Sequence, residues 1–188
     1  VTVSVTVTST NDAPVATVAA ATTSEDIAVA IALTGTDADG NVLTVLLWDG
    51  AQGSTVDVTT AAGGTVSIGA TAADQATATY TAPANYSGED SFDYIVNDGA
   101  LDSAVETVSI TVDAVNDAPI VLGDAYATSE DTSVTFTLTG FDDDLDALTV
   151  LLWDGAQGVT GTIFTAEGGA VGIGTSSGDQ ASVTYTPP

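Results

Sequence analysis

The sequence contains no lysine, arginine, histidine, cysteine or methionine, against 26 aspartates and glutamates, which leaves a formal charge of −26. No ion pair between side chains can form, so no carboxylate is neutralised by a neighbour. Nucleic acid is excluded as a partner because phosphate binding needs Lys or Arg. Bare anionic lipid is disfavoured for the same reason. Without His, Cys and Lys there is no Ser-His-Asp triad, Cys-His pair or Schiff base. A carboxylate pair could still cleave glycosides. The acids cluster at strand ends rather than along a sugar cleft, so the chain reads as non-enzymatic. No apolar run reaches the roughly 18 residues a membrane-spanning helix needs, so direct membrane insertion is not expected. No basic start leads into an apolar stretch, so no signal peptide is visible. The absence of cysteine gives no disulfide evidence for or against an oxidising compartment.

What is present is a repeat. Asn11-Asp12-Ala13-Pro14 returns as Asn116-Asp117-Ala118-Pro119, and Leu43 to Gly53 is copied verbatim as Leu148 to Gly158. At a constant, gapless offset of 105, about 41 of the 73 positions in 11–83 are identical to 116–188. A fixed period is the mark of an array, and one this long is a small domain per copy. The expected organisation is the last strand of a preceding repeat over 1–11, a complete repeat over 12–117, and a second repeat over 118–188. That second repeat lacks the equivalents of 91–96 and 106–112. The chain opens mid-pattern and reads as a window on a longer array, or else a neighbouring chain supplies strands.

Alternation with period two dominates. Val1, Val3, Val5 and Val7 fall on one face with hydroxyls between them, and Glu106 to Val112 repeats the pattern. Ala76 to Tyr80 and Ser91 to Val96 behave alike, as half-buried strands do. Asp39-Gly40, Asp49-Gly50, Gly63-Gly64, Ser87-Gly88 and Asp98-Gly99 punctuate them as turns. High charge can signal disorder, but 44% hydrophobic content and strict alternation oppose it. Strands at this spacing predict an all-β fold of tandem antiparallel sandwiches of immunoglobulin or cadherin type. Trp48, Tyr80, Phe92, Tyr94 and Ile95 are expected in the core, with the copies Trp153 and Tyr185.

Strand direction then places the acids. A strand over about 15–22 runs down and leaves Glu25 and Asp26 at the bottom. The next runs up, and since nine extended residues span roughly 30 Å, Asp37 and Asp39 lie at the top. The same alternation puts Asp90 at the bottom and Asp98 at the top. The linker, with Asp113, Asn116 and Asp117, leaves the bottom and meets the next copy's Asp142 and Asp144. Two bare carboxylates about 6 Å apart at an effective dielectric near 20 repel by roughly 3 kcal/mol. With no basic residue available, a metal cation is the remaining neutraliser apart from protonation. Oxygen-only ligands select a hard ion, Ca²⁺.

The linker Asn-Asp-Ala-Pro, the Ser-Glu-Asp before the second strand, the Asp-x-Asp after it, and Tyr86 to Phe92 followed by Asn97-Asp98-Gly99 together resemble the cadherin-like tandem repeats of giant bacterial surface proteins and adhesins. The resemblance covers the whole chain. It implies an extracellular string of sandwiches at the bacterial surface, stiffened by calcium at the joints, that spaces an adhesive region from the cell. By that resemblance Glu25, Asn116, Asp117, Asp142 and Asp144 are ligands of a lower joint, and Asn11, Asp12, Asp37 and Asp39 are their counterparts at an upper one. Thr8 departs from the pattern, standing where the later copy has Asp113.

Asp98 reads equally as a hairpin residue and as a ligand. Asp49 and Asp154 read as turn residues, and Asp57, Asp93 and Asp102 as solvent-facing acids. Two other functions stay open. Exposed aromatics with calcium would make a glycan-binding repeat, and exchange of the strand over 1–10 between copies would build a filament. The partners expected are therefore neighbouring repeats and possibly other copies of the chain.

Overall fold

The computed structural model describes residues 2–188, and the chain divides into two units, Val1–Val115 and Asn116–Pro188. The expected strand over 1–10 begins on Val1, which lies outside the described residues; residues 2–14 carry no strand, and Val3, Val5 and Val7 are exposed.

The first unit is a two-sheet sandwich. Its strands are β1 (Val15–Ala16), β2 (Ala19–Ser24), β3 (Val29–Thr36), β4 (Thr44–Trp48), β5 (Gly53–Ser54), β6 (Val58–Thr59), β7 (Thr65–Ile68), β8 (Gln75–Thr81), β9 (Gly88–Asn97) and β10 (Glu106–Asp113). One sheet has the order β1-β3-β8-β7-β6 and the other β2-β10-β9-β4-β5. Alternate residues turn inward from both sheets, as period-two patterning requires. Leu33, Val45, Leu47, Val66, Tyr80, Tyr94, Val96, Val108 and Ile110 fill the space between them.

The first strand expected from sequence is split. β1 pairs antiparallel with β3, and β2 crosses to the other sheet and runs parallel to β10, with Val108 opposite Ala19 and Asp113 opposite Ser24. The sandwich is thus antiparallel save for this pair. The crossover is pinned from inside: the Tyr94 hydroxyl donates to the carbonyl oxygens of Thr17 and Thr34. Burial raises the Tyr94 hydroxyl's pKa, so it stays a donor.

The second unit repeats one of the two sheets. β11 (Ile120–Leu122), β12 (Val134–Phe141), β13 (Leu152–Trp153), β14 (Gly158–Val159), β15 (Thr162–Phe164), β16 (Ala170–Ser177) and β17 (Gln180–Thr186) form a five-stranded sheet, β11-β12-β17-β16-β15, and a separate pair, β13-β14. The larger sheet copies β1-β3-β8-β7-β6 strand for strand. The other sheet does not form. The copy of β2, residues 124–129, is not a strand, and the copy of β4 shrinks to two residues. In the first unit these two strands are ordered by β10 and β9, and no equivalents of those exist among the described residues of the second. The sequence carries the strand pattern, but the ladder needs its partner.

Tyr80, Phe92, Tyr94 and Ile95 are buried as expected, but the two tryptophans are not. Trp48 is half-buried and Trp153 is 66% exposed. Leu43, Val45 and Leu47 point to the core, so Thr44, Leu46 and Trp48 face outward. Tyr185 is half-buried, where its copy Tyr80 is fully enclosed.

Candidate functional site

In the first unit the linker meets the loop after β3. The backbone N–H of Asp12 donates to Asp39 Oδ2 at 2.8 Å, and the Asn11 amide donates to Asp98 Oδ2 at 2.8 Å. Asn41 Nδ2 donates to Asn11 Oδ1 at 2.6 Å. Asp37 Oδ1 closes its own loop by accepting from the N–H groups of Asp39 and Asn41, 2.9 and 3.0 Å away. Its other oxygen, Oδ2, is buried and has no hydrogen-bond partner. Such an orphan is costly to leave unsatisfied. Asp98 also accepts from Ala100 and Leu101 N–H, both at 2.7 Å. The Asn11 side chain first, then these two backbone donors, hold its carboxyl below the ordinary aspartate pKa. Asn11, Asp12, Asp37, Asp39 and Asp98 thus lie at one end of this unit, where strand direction put them. Asp98 both closes the hairpin and reaches the linker.

The second unit builds the same clamp. Asp117 N–H donates to Asp144 Oδ2 at 2.6 Å, and Asp142 Oδ1 accepts from Asp144 and Asp146 N–H at 3.1 and 3.2 Å. Asp142 is 6% exposed. Asn116 donates to the Asp117 carbonyl at 3.1 Å, as Asn11 does to that of Asp12 at 3.3 Å. Gly40 of the first loop, at φ 75°, is replaced by Leu145 at φ 62°. A leucine held in the left-handed region is strained, so the loop shape is retained at a cost where the glycine is lost.

At the opposite end of the first unit the acids part company. Glu25 is buried, and its Oε1 accepts from Val115 N–H at 2.7 Å while its own N–H donates to the Asp113 carbonyl at 3.0 Å. It therefore ties the turn after β2 to the start of the linker. Asp113 is exposed at the end of β10. Asp26 is exposed with φ 62°, and its copy Asp131 has φ 61°. Aspartate tolerates this conformation, which accounts for its recurrence through turn geometry. Asp90 lies in the interior rather than at the tip. Its Oδ2 accepts from Thr60 Oγ1 at 2.5 Å and Tyr80 hydroxyl at 2.8 Å, and its Oδ1 from Ser91 N–H at 2.8 Å. A carboxylate so filled is committed to the fold and leaves the candidate ligand set. Parity could have located it, because Asp90 shares a face with Phe92, Tyr94 and Val96.

Sequence reasoning missed Asn41, which braces Asn11. It also missed Asp74, whose Oδ1 accepts Leu43 N–H at 2.7 Å, as its copy Asp179 accepts Leu148 N–H at 3.2 Å. Recurrence of Asp-Gln-Ala in both repeats was the available signal. Asp49 and Asp154 are turn residues as expected, each capping two N–H groups, and those bonds lower both carboxyl pKa values. Among the described residues no group of three or more acidic side chains is assembled so as to hold a metal ion. What remains unsatisfied is one buried carboxylate oxygen, Asp37 Oδ2, in the loop that also carries Asp39 and Asn41. No cationic side chain exists in the sequence to pair with it.

The bacterial Ig domain profile matches residues 11–111 and again 116–188. The chain belongs to the bacterial Ig domain family. The two matches fall one on each unit. Integrin beta-like protein A of Dictyostelium discoideum is 33% identical over 190 residues, covering 94% of this chain and 10% of that protein. Integrin beta-like protein B of the same organism is 32% identical over 89 residues, covering 46% of this chain and 5% of that one. The chain therefore spans a small fraction of the length of the curated relatives it matches. Among solved structures it resembles an endo-fucoidan hydrolase of glycoside hydrolase family 107 (TM-score 0.43, 22% identity, 93% of this chain, 24% of that one). It also resembles the Yersinia pseudotuberculosis adhesin InvE (TM-score 0.36, 17% identity, 93% and 51%).

Proposed function

We propose that these bacterial Ig domains are calcium-responsive spacer repeats of a large cell-surface or secreted adhesion protein, with cadherin-like use of the acidic linkers and no enzymatic activity of their own. The observation that carries the reading is the clamp between linker and loop. Asp12 to Asp39 and Asp117 to Asp144 recur at the same places, and Asp37 keeps an unpartnered buried oxygen beside the first. Asp37 and Asp39, with Asn11 and Asp98, would hold an ion in the first unit, and Asp142, Asp144 and Asn116 in the second. Glu25 and Asp113 are the remaining candidates at the far end of the first unit. The ion would supply the positive charge that the sequence lacks and fasten the linker to the loop. A fastened linker resists bending and proteolysis, which is what a spacer requires. Affinity of about 10⁻⁴–10⁻³ M is expected, as for extracellular modules. Small-angle scattering of the chain in calcium and in chelator tests it. A larger maximum dimension and a narrower distance distribution in calcium support the reading; identical curves contradict it.

A second reading is favoured by the outward-facing tryptophans. Trp48, Asp57, Thr59 and Asp93 line an open cleft of about 520 Å³, and Trp153 and Phe164 line one of about 420 Å³ in the other unit. Aromatic faces beside carboxylates suit a neutral sugar, so these clefts support glycan recognition as the alternative. A glycan array probed with the chain and with its Trp48→Ala variant separates the two.

A further inference from the structure

A pull along the chain reaches the strands of the first unit from the Pro14 side and leaves them from the Val115 side, because residues 2–14 precede them and 116–188 follow. β1, which comes first, is held to β3 by two residue pairs. The next strand, β2, lies beside the last, β10, and the two run parallel over six residue pairs, from Ala19 opposite Val108 to Ser24 opposite Asp113. Tension therefore draws β2 by its first residue and β10 by its last, in opposite directions along one ladder. The evenly spaced bonds of a parallel pair are then loaded together, in shear. Behind the rungs Val108, Ile110 and Val112 are at 0%, 0% and 2% exposure.

The ladder does not stop at Ser24. Glu25 N–H donates to the Asp113 carbonyl at 3.0 Å, and Glu25 Oε1 accepts Val115 N–H at 2.7 Å. Glu25 is 3% exposed, so water competes poorly for that charge-assisted bond. Thr23 fixes the turn that carries Glu25, its hydroxyl donating to the Ile27 carbonyl at 2.8 Å. We propose that the β2–β10 ladder, with Glu25 as its latch onto Val115, is the force-bearing lock of the repeat and holds without a metal ion. Glu25 acts here as a positioning residue, on the linker amide. The proposal rests on the spacer reading for the presence of tension, and it does not depend on calcium. Forced unfolding follows the height of the unfolding barrier, so the direction of pulling decides how the lock responds.

The sequence has no cysteine, so pulling handles attach only where one is introduced. Single-molecule pulling of the full chain in chelator compares handles at Thr10→Cys and Ala118→Cys with handles at Thr10→Cys and Ala104→Cys, all exposed positions. The first pair shears the ladder. The second draws both strands from the end that carries Asn11 and Asp98, and peels it. Shearing is expected to need several-fold more force than peeling. Glu25→Ala is expected to lower the shearing force and leave the peeling force unchanged, because peeling starts at the end away from Glu25. On the chain with Glu25 intact, hydrogen exchange of the Val115 amide in chelator is expected to be slow. Equal forces in the two geometries, an equal loss in both on Glu25→Ala, or fast Val115 exchange overturns the proposal. A failure of calcium to bind leaves all three results unchanged, so the two readings fail separately.

Discussion

The Tyr80 hydroxyl donates to the buried Oδ2 of Asp90 at 2.8 Å, and its copy Tyr185 stands in a unit whose described residues hold no equivalent of that acid. Burial first, then the hydrogen bond and charge of Asp90, push the Tyr80 pKa upward, so the phenol remains a donor through the physiological range. Tyr80→Phe removes one of two hydroxyls from a buried carboxylate. The expected cost to the first unit is about 1.5–3 kcal/mol, read by urea unfolding. Calcium binding is expected to be unchanged, because Asp90 serves the core.

Two glycines lie against these tyrosine rings. A Cβ on Gly64 would sit 2.6 Å from the Tyr80 ring, and one on Gly169 at 2.6 Å from that of Tyr185. Tyr80 is enclosed and cannot yield, whereas Tyr185 is half-buried and can turn. Gly64→Ala is therefore expected to cost about 1–3 kcal/mol, and Gly169→Ala clearly less. Separate unfolding transitions for the two units, followed by tryptophan fluorescence at Trp48 and Trp153, check the difference.

Asp98 gives a pH signature. Its folded pKa is lowered by the Asn11 amide and the hairpin N–H groups. A lowered carboxylate stabilises the folded state above its unfolded pKa of about 3.9 and loses that contribution as pH falls through the folded value. Asp98→Asn is expected to lower stability at pH 7 and to flatten the acid limb, so that the variant and the native chain converge below about pH 4. Thermal unfolding between pH 2.5 and 7 measures this.

Much of this was legible in the amino acids. The constant offset, the alternation and the turn glycines specify two all-β units, the first a complete sandwich, and strand direction put Asp37, Asp39 and Asp98 at one end with Asn11 and Asp12. What was not legible follows from physics that period-two patterning cannot carry. In Leu46-Leu47-Trp48 every residue is apolar, so the sequence does not say which parity faces in, and Trp48 faces out. The split of the first strand depends on Tyr94, more than 70 positions away, reaching the Thr17 carbonyl. Residues 124–129 keep the length of β2 but not its structure, because a strand is a property of a pair. Asp90 turns inward because it shares the parity of Phe92, Tyr94 and Val96, a position where strand direction alone gives the end of the strand but not the face.

The central claim is that the orphaned Asp37 oxygen and its neighbours take a hard divalent ion. Equilibrium dialysis against calcium, with the bound metal measured directly, tests it on the native chain and on Asp37→Asn. The account predicts calcium bound with a dissociation constant of about 10⁻⁴–10⁻³ M, and one site fewer in the variant. No bound calcium at 10 mM, or the same stoichiometry in Asp37→Asn, would contradict it.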